Sequence, residues 1–456
     1  MKPTTTIREK FKQFLVILFP ILITQITLSA ITFFDTNMSG KSSSIDLAGV
    51  AIGSSLWVPI QVGLSGILMG LTPIVSQLIG NNQKNKVSYQ VIQALWLSLL
   101  LAIMVLIIGG FVISPILDIM NLDSNVRQIA FQFLLGISIG IIPLFGYMVL
   151  RSLIDALGET RTSMTITLLS LPINVTLNYL LIFGKFGFPR LGGAGAGIAS
   201  GITYWCIFLT AIWFIQRRQQ FAGLGIFQKF HKISLNAWKD LLKIGVPIGF
   251  SIFFETAVFA AVTLLMSQFN TATIAAHQAA LNFATTLYMI PLSICMSLTI
   301  LVGFEKGAGR IKDARQYAFL GIGSAITLSL LTAVVLIFAS RQVAFLYSDE
   351  NHIIELIQHF LVYAIFFQIS DAIATPIQGV LRGYKDVTPA FIIAFISFWV
   401  IGLPVGYLLA NFTTLGADGY WIGLITGLAI GAILLLRRLV YIQKRYGIVH
   451  DNHPQF

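Results

Sequence analysis

Charge is what this 456-residue chain has least of. Asp, Glu, Lys and Arg together make up 10% of it, whereas soluble domains carry roughly a quarter. That shortage excludes an ordinary soluble fold. A hydrophobic content of 56% excludes intrinsic disorder, which requires low hydrophobicity and high charge. Cysteine is scarcer still. Cys206 and Cys295 are the two in the chain, each inside an apolar stretch, and two residues placed so cannot form a disulfide framework. No Walker A sequence, HExxH or GxSxG occurs, so ATP-driven pumping and the commoner intramembrane hydrolases lack their usual marks. The formal net charge of +11 raises the question of a nucleic-acid partner, which the positions of the charges must answer.

What the chain has in place of charge is long uncharged runs. Lys12 to Asp35 encloses 22 uncharged residues, Arg127 to Arg151 encloses 23, and Arg161 to Lys185 encloses 23. A bilayer core needs about 20 apolar helical residues, so each run fits one crossing. Asp46 to Lys84 holds 37 residues and reads as one long helix with entry and exit segments. Glu255 to Glu305 holds 49, divided by a polar turn over Gln268–Thr273. The count predicts twelve helices, centred near residues 25, 62, 102, 140, 172, 204, 256, 288, 328, 368, 400 and 428. Barrel strands alternate over about ten residues, and these runs are apolar on every face. The expected fold class is an all-α polytopic membrane protein.

Lysine and arginine set the orientation. With the N-terminus in the cytoplasm, the inward segments hold 24 of the 29 basic residues. The outward loops hold Lys41, Arg127, Lys185, Arg190 and Arg341. The basic excess is therefore topological, and no support remains for a nucleic-acid partner. Both termini are expected in the cytoplasm of a multi-pass protein of the cell membrane. The first apolar run is too long for a signal peptide and is followed at once by further spans.

The chain also repeats itself. An offset of 227 aligns Pro20 with Pro247, Ala48 with Ala275, Met69 with Met296, Thr72 with Thr299 and Gly80 with Gly307. Further along, Leu150-Arg151-x-x-x-Asp155 recurs as Leu381-Arg382-x-x-x-Asp386, and Tyr179-Leu180-Leu181 as Tyr407-Leu408-Leu409. Six helices per half is an even number, so the halves share an orientation and are related by a pseudo-two-fold axis along the membrane normal. An N-lobe over residues 1–222 and a C-lobe over 223–456 are expected, with a cytoplasmic linker at about 217–243. Parallel repeats of this kind are a transporter architecture, with sites near the midplane.

Polar residues inside spans are the candidate functional groups. Glu255 and Asp371 fall well inside the seventh and tenth predicted helices, and no Lys or Arg is expected at their depth. A charge at a helix centre costs ~2.5–3.5 kcal/mol on insertion scales, so two carboxylates there point to a cavity, a partner or an ion. Packing of two protonated acids is the alternative. Pro376 lacks an N–H, which leaves the carbonyl of Ala372 free beside Asp371; that arrangement suits a hard cation, and equally an ordinary kink. Asp35 stands near the outer end of the first helix, where an interfacial acid and a buried functional one are both consistent. Asn174 with Asn178, and Gln278 with Asn282, are i, i+4 pairs sharing a helix face; amides of that sort cement helices or line a cavity. His277 reads as a structural hydrogen-bonder. The run Gly192–Gly197 opens a helix without a preceding strand, and reads as close helix packing rather than a phosphate loop.

These features together resemble the multidrug and toxic compound extrusion (MATE) family. The resemblance lies in Asp35-Thr36-x-Met38-Ser39-Gly40 and Ala275-Ala276-His277-Gln278-x-Ala280-Leu281-Asn282. Phe253-Phe254-Glu255, Asp371, Leu381-Arg382-Gly383-Tyr384-Lys385-Asp386 and Phe183-Gly184-Lys185-Phe186-Gly187 point to its NorM branch. The resemblance covers essentially the whole chain. It implies an antiporter, not an enzyme, that exports organic cations against inward sodium or protons by rocking two lobes, with no other cofactor and as a monomer. It implies that Glu255 and Asp371 bind the coupling cation (Na+ as the metal, if sodium-coupled), and that Asp35, Asn174 and Asn178 form an N-lobe polar site. Phe253 and Phe254 would hold lipophilic cations by their ring faces, with Gln278, Asn282 and Met289 as further cavity positions. Some sodium-type relatives carry a tyrosine where this chain has Phe367, which removes one ligand hydroxyl. Two other readings remain: a lipid-linked-oligosaccharide flippase of the same superfamily, and a polytopic membrane enzyme.

Overall fold

The computed structural model describes residues 1, 3–229 and 231–452. Lys2 of the N-terminal tail, Phe230 of the expected linker and the last four residues lie outside the described residues. Among the described residues every regular element is helical. In chain order these are α1 (Ile7–Ser42), α2 (Ser44–Leu68), α3 (Leu71–Gly80), α4 (Val87–Ile119), α5 (Ser124–Ser138), α6 (Ile141–Ala156), α7 (Thr160–Phe183) and α8 (Gly193–Arg217). There follow a single turn α9 (Gln219–Ala222), then α10 (Leu235–Leu265), α11 (Thr271–Gly307), α12 (Ile311–Phe345) and α13 (Asn351–Tyr384). The last are α14 (Val387–Phe395), a π-helical stretch Ile396–Gly402, α15 (Leu403–Phe412) and α16 (Ala417–Asn452).

Eleven spans among the described residues are long and apolar enough to cross a membrane, and the pair α5–α6, bent by 51°, makes twelve if taken as one span. The expected centre near residue 140 falls on that bend, and the one near 400 inside the π-helical stretch. The span Ser44–Gly80 runs as α2 and α3 with a break at Met69-Gly70. The expected turn over Gln268–Thr273 is present, with Asn270 capping α11 by accepting from the Thr273 amide at 2.8 Å. Apolar side chains point outward in bands; Phe111 of α4 is 78% exposed and Phe338 of α12 is 81% exposed, as a lipid-facing surface requires. The basic linker is shorter than expected, because Lys239 and Lys243 lie within α10.

The chain forms two compact units, Phe19–Gly249 and Met1–Leu18 with Phe250 onward. The divisions fall inside α1 and α10, each within three residues of a matched proline, Pro20 or Pro247. Proline removes an intrahelical hydrogen bond, so both helices are weakened at corresponding points. The start of α1 is bound to the second of these units by Lys10, which is fully buried. Its Nζ lies 3.0 Å from Asp313 Oδ1 of α12 and donates to the Thr4 carbonyl at 3.1 Å.

Small residues set the close helix crossings. In the first unit, a Cβ on Gly201 of α8 would come 2.6 Å from the carbonyl oxygen of Gly136 in α5, and one on Gly195 would come 2.7 Å from the Leu181 carbonyl of α7. The run Gly192–Gly197 therefore packs helices. Asp46 joins two of their ends: its Oδ2 accepts from Ser43 Oγ at the α2 cap, and its Oδ1 accepts from the Gly193 amide at 2.7 Å. A carboxylate at two helix N-termini is favoured by both dipoles. Gly192, at φ 55°, has no room for a side chain beside that carboxylate. In the second unit Gly419, Gly423, Gly427 and Gly431 recur every fourth residue along α16. A Cβ on Gly423 would lie 2.6 Å from the Gly402 carbonyl oxygen, and one on Gly427 2.8 Å from Gly402 Cα.

Enlarging one of these crossings should therefore be costly. Gly201→Val is expected to destabilise the protein by about 1–3 kcal/mol, as overpacking does. Gly110→Ala in α4, where a Cβ meets nothing within 4 Å, should be neutral or slightly stabilising. Unfolding temperatures of the two purified variants check the difference.

Candidate functional site

Each unit carries a buried polar cluster that includes acids singled out from the sequence. In the first, Asp35 near the end of α1 meets α7 and α8. Its Oδ1 accepts from Asn178 Nδ2 at 2.6 Å and its Oδ2 from Ser200 Oγ at 3.0 Å. Asn178 Nδ2 also donates to Asn174 Oδ1 at 3.0 Å, and both asparagines are fully buried. Helical spacing of four puts the amides on one face of α7, while the small residues of α8 bring Ser200 alongside. Both oxygens of Asp35 are thus engaged by neutral donors, which stabilise the ionised carboxylate without a charge partner.

The second cluster is built on α13. Asp371, Thr375, Gln378 and Arg382 follow at intervals of four, three and four, so they share one face of the helix. Thr375 Oγ1 donates to Asp371 Oδ1 at 2.6 Å, while Asp371 Oδ2 is buried without a donor among the described residues. Gln378 Nε2 donates to Glu255 Oε1 of α10 at 2.8 Å, and Ser251 lies 3.4 Å from the same oxygen. The structure therefore brings Glu255 to the stripe that carries Asp371. Pro376 is buried in this stretch of α13 beside Thr375.

Arg382, near the end of α13, is 6% exposed and donates to Gln378 Oε1 at 3.4 Å. Charge gaps set the limits of the expected spans, whereas α13 continues through Arg382 to Tyr384. Ser200, Thr375 and Gln378 are not among the candidates read from the sequence. The last two are signalled by their spacing from Asp371; for Ser200 no such signal exists.

The other expected positions are distributed differently. Phe254 packs into an aromatic group with Phe250, Phe391, Phe395 and Trp399 at centroid distances of 5.0–6.1 Å, and the Trp399 indole donates to its carbonyl at 3.0 Å. Phe253 touches Phe254 edge-on at 5.5 Å. Gln278 and Asn282 are exposed on α11, and Asn282 accepts from the Tyr347 hydroxyl at 2.9 Å. Met289 is half-buried. Phe367 packs on Phe259 at 5.6 Å. His277 is fully buried between Trp421 and Phe360, with Thr263 Oγ1 3.4 Å from Nε2. Among the described residues no group of three or more His, Cys, Asp or Glu could hold a metal ion. A sodium ion at Glu255 and Asp371 would need hydroxyl, amide or carbonyl oxygens to complete its shell, which suit a hard cation.

An all-helical chain of eleven or twelve spans, with carboxylates buried in two clusters, is a membrane transporter by class. The "MatE" family model matches it twice, over residues 20–180 and 247–408. Those matches begin at Pro20 and Pro247, the pair that opens the internal repeat. The chain belongs to the MATE family of transporters, and the membrane-enzyme reading is set aside. It is 59% identical over 446 residues to "Probable multidrug resistance protein NorM" of Bacillus subtilis (strain 168), covering 98% of this chain and 99% of that one. It is 57% identical over 446 residues to the protein of the same name from Bacillus anthracis, covering 98% of each. In fold it is similar to the eukaryotic MATE transporter AtDTX14, with TM-score 0.86, 21% identity and coverage of 98% and 99%. It is also similar to an outward-facing multidrug resistance MATE family transporter, with TM-score 0.86, 17% identity and coverage of 98% and 99%.

The Asp35 cluster predicts a stability effect. Asn178→Ala removes a donor from a buried carboxylate and should cost about 1.5–3 kcal/mol. Gln278→Ala, on an exposed face, should stay within about 0.5 kcal/mol of wild type. Thermal unfolding of the purified variants measures both.

Proposed function

We propose that this chain is a secondary antiporter that exports organic cations and drugs in exchange for inward sodium or protons, by alternating access of its two halves. The observation that carries the reading is the buried, donor-free Oδ2 of Asp371 on the same polar stripe that binds Glu255. A carboxylate oxygen in that state is costly unless a cation or proton meets it. The "multidrug resistance" in the names of the NorM relatives supports drugs as substrates. The outward-facing neighbour supports an outward-open state for the fold. Both polar clusters come from one chain, so a monomer suffices.

Coupling then follows from charge. The repulsion between two carboxylates in low dielectric falls when a cation arrives. One charge moving down about 100 mV releases roughly 2.3 kcal/mol. That electrical gain cancels when one monovalent cation exchanges for one monovalent drug, which leaves the ion's concentration gradient as the drive. Ion binding must also favour one arrangement of the halves over the other, since equal affinity shifts nothing. The distribution of basic residues supports a cytoplasmic side for both termini.

Drug efflux from proteoliposomes under sodium and proton gradients imposed separately tests the coupling. Asp371→Asn and Glu255→Gln should abolish gradient-driven efflux at matched protein content, and Asp35→Asn should impair it. Efflux by Asp371→Asn equal to wild type, and fully gradient-dependent, would leave Asp371 a structural acid. If expression in a pump-deficient host changed cell-envelope glycans but not sensitivity to ethidium-like dyes, the flippase reading would replace this one.

Orientation is checked separately. A cysteine placed at Arg218 should resist labelling by an impermeant maleimide applied to intact cells; efficient labelling there would invert the topology.

A further inference from the structure

The starts of α1 and α12 belong to the same compact unit. Lys10 of α1 pairs with Asp313 of α12 at 3.0 Å, and the Thr4 hydroxyl lies 3.0 Å from that of Tyr317. These bonds bring the first turns of the two helices side by side, but the space along them is not filled. A groove of about 530 Å³ is lined by Ile7, Arg8, Phe11, Gln316, Phe319 and Leu320. Ile7 and Phe319 are each 62% exposed, so the groove opens outward. Gly323, one turn beyond Phe319, is exposed as well, and a Cβ there would meet nothing within 4 Å. Charge at the mouth is of one sign. Arg8 and Lys312 are each the second residue of their helix, exposed, and without an ion-pair or hydrogen-bond partner among the described residues. The acids of these two helix starts are already engaged. Glu9 accepts from the Thr5 and Thr6 amides, and Asp313 is held by Lys10 and Arg310. The N-terminal ends of both helices add positive potential at the same place.

We propose that this groove is a binding site for an anionic glycerophospholipid. One acyl chain lies along Phe11, Phe319 and Gly323, and the phosphodiester meets Arg8, with Lys312 one turn before Gln316 as the second cation. Basic pockets between membrane helices hold acidic lipid headgroups in this way. Charge complementarity selects the lipid. A zwitterionic headgroup fits the same apolar wall but brings an ammonium group that Arg8 and Lys312 repel. A soluble phosphate satisfies the cations but leaves the apolar wall uncovered, so it lacks the larger part of the contact. The site shares no residue with either buried acid cluster, and the proposal depends neither on the substrate carried nor on the coupling ion.

Native mass spectrometry of the purified, delipidated protein tests this, with titration by phosphatidylglycerol or phosphatidylcholine of identical acyl chains. Wild type should take up its first phosphatidylglycerol at a several-fold lower concentration than phosphatidylcholine. Arg8→Gln and Lys312→Gln should each reduce that preference by about five-fold, the effect of one cation near a charged membrane surface, and the double variant should abolish it. Arg8→Lys, which keeps the charge, should retain the preference, and Phe319→Ala should weaken both lipids alike. Lys84→Gln, in the other compact unit, should change nothing, and millimolar inorganic phosphate should not displace the lipid. Equal uptake of the two lipids by wild type overturns the proposal, as does a preference that the double variant retains. So does a loss matched by Lys84→Gln, which would make the effect one of total surface charge, or displacement by inorganic phosphate. A cysteine at Phe319 that cross-links two chains in lipid nanodiscs would assign the groove to a second copy instead, and would equally overturn it.

Discussion

A hydrocarbon solvent offers no hydrogen bonds, and that constraint runs through every part of this protein. Backbone polar groups within the spans must be satisfied inside their own segment, which leaves helices as the available element here. Without a hydrophobic drive between helices, close packing of small residues holds them together. Gly201 against Gly136 and the four-residue glycine spacing of α16 are that rule in two places. Charged side chains obey it too. Asp46 serves two helix N-termini, Lys10 finds Asp313, and Asp386 finds Arg438.

The two buried clusters differ in how complete this satisfaction is. Asp35 has a donor on each oxygen, whereas Asp371 has Thr375 on one oxygen and nothing on the other. In the first cluster the unmet atom is an amide oxygen, Asn178 Oδ1; in the second it is a carboxylate oxygen, whose burial costs more. The local backbone around these groups is also less regular than elsewhere. Pro20 and Pro247 interrupt α1 and α10 close to where each passes from one compact unit to the other, Pro376 follows Thr375, and a π-helical stretch carries the Trp399 indole to the turn before Glu255. Such interruptions are where helices bend.

The internal repeat supplies its own control. Two copies of one motif reach different ends because their third neighbours differ. Asp155 accepts from Ser163 of α7 and lies beside Arg151, while Asp386 is bonded by Arg438 and Arg382 donates to Gln378.

Composition and spacing are sufficient for the class of protein, the helix count, the repeat and the buried acids, because the insertion cost of a charge is a property of the residue and its distance from the ends of an apolar run. Helical periodicity places Asn174 over Asn178, and Asp371 over Thr375, Gln378 and Arg382, before any packing is known. It does not say which helix lies opposite. That Ser200 closes on Asp35, that Phe254 is absorbed by its aromatic neighbours and that Arg438 claims Asp386 depend on contacts between residues far apart in the chain. Hydropathy cannot rank such partners, because every candidate helix is equally apolar. The choice is made by glycine-sized approaches and by the few polar atoms that each must reach.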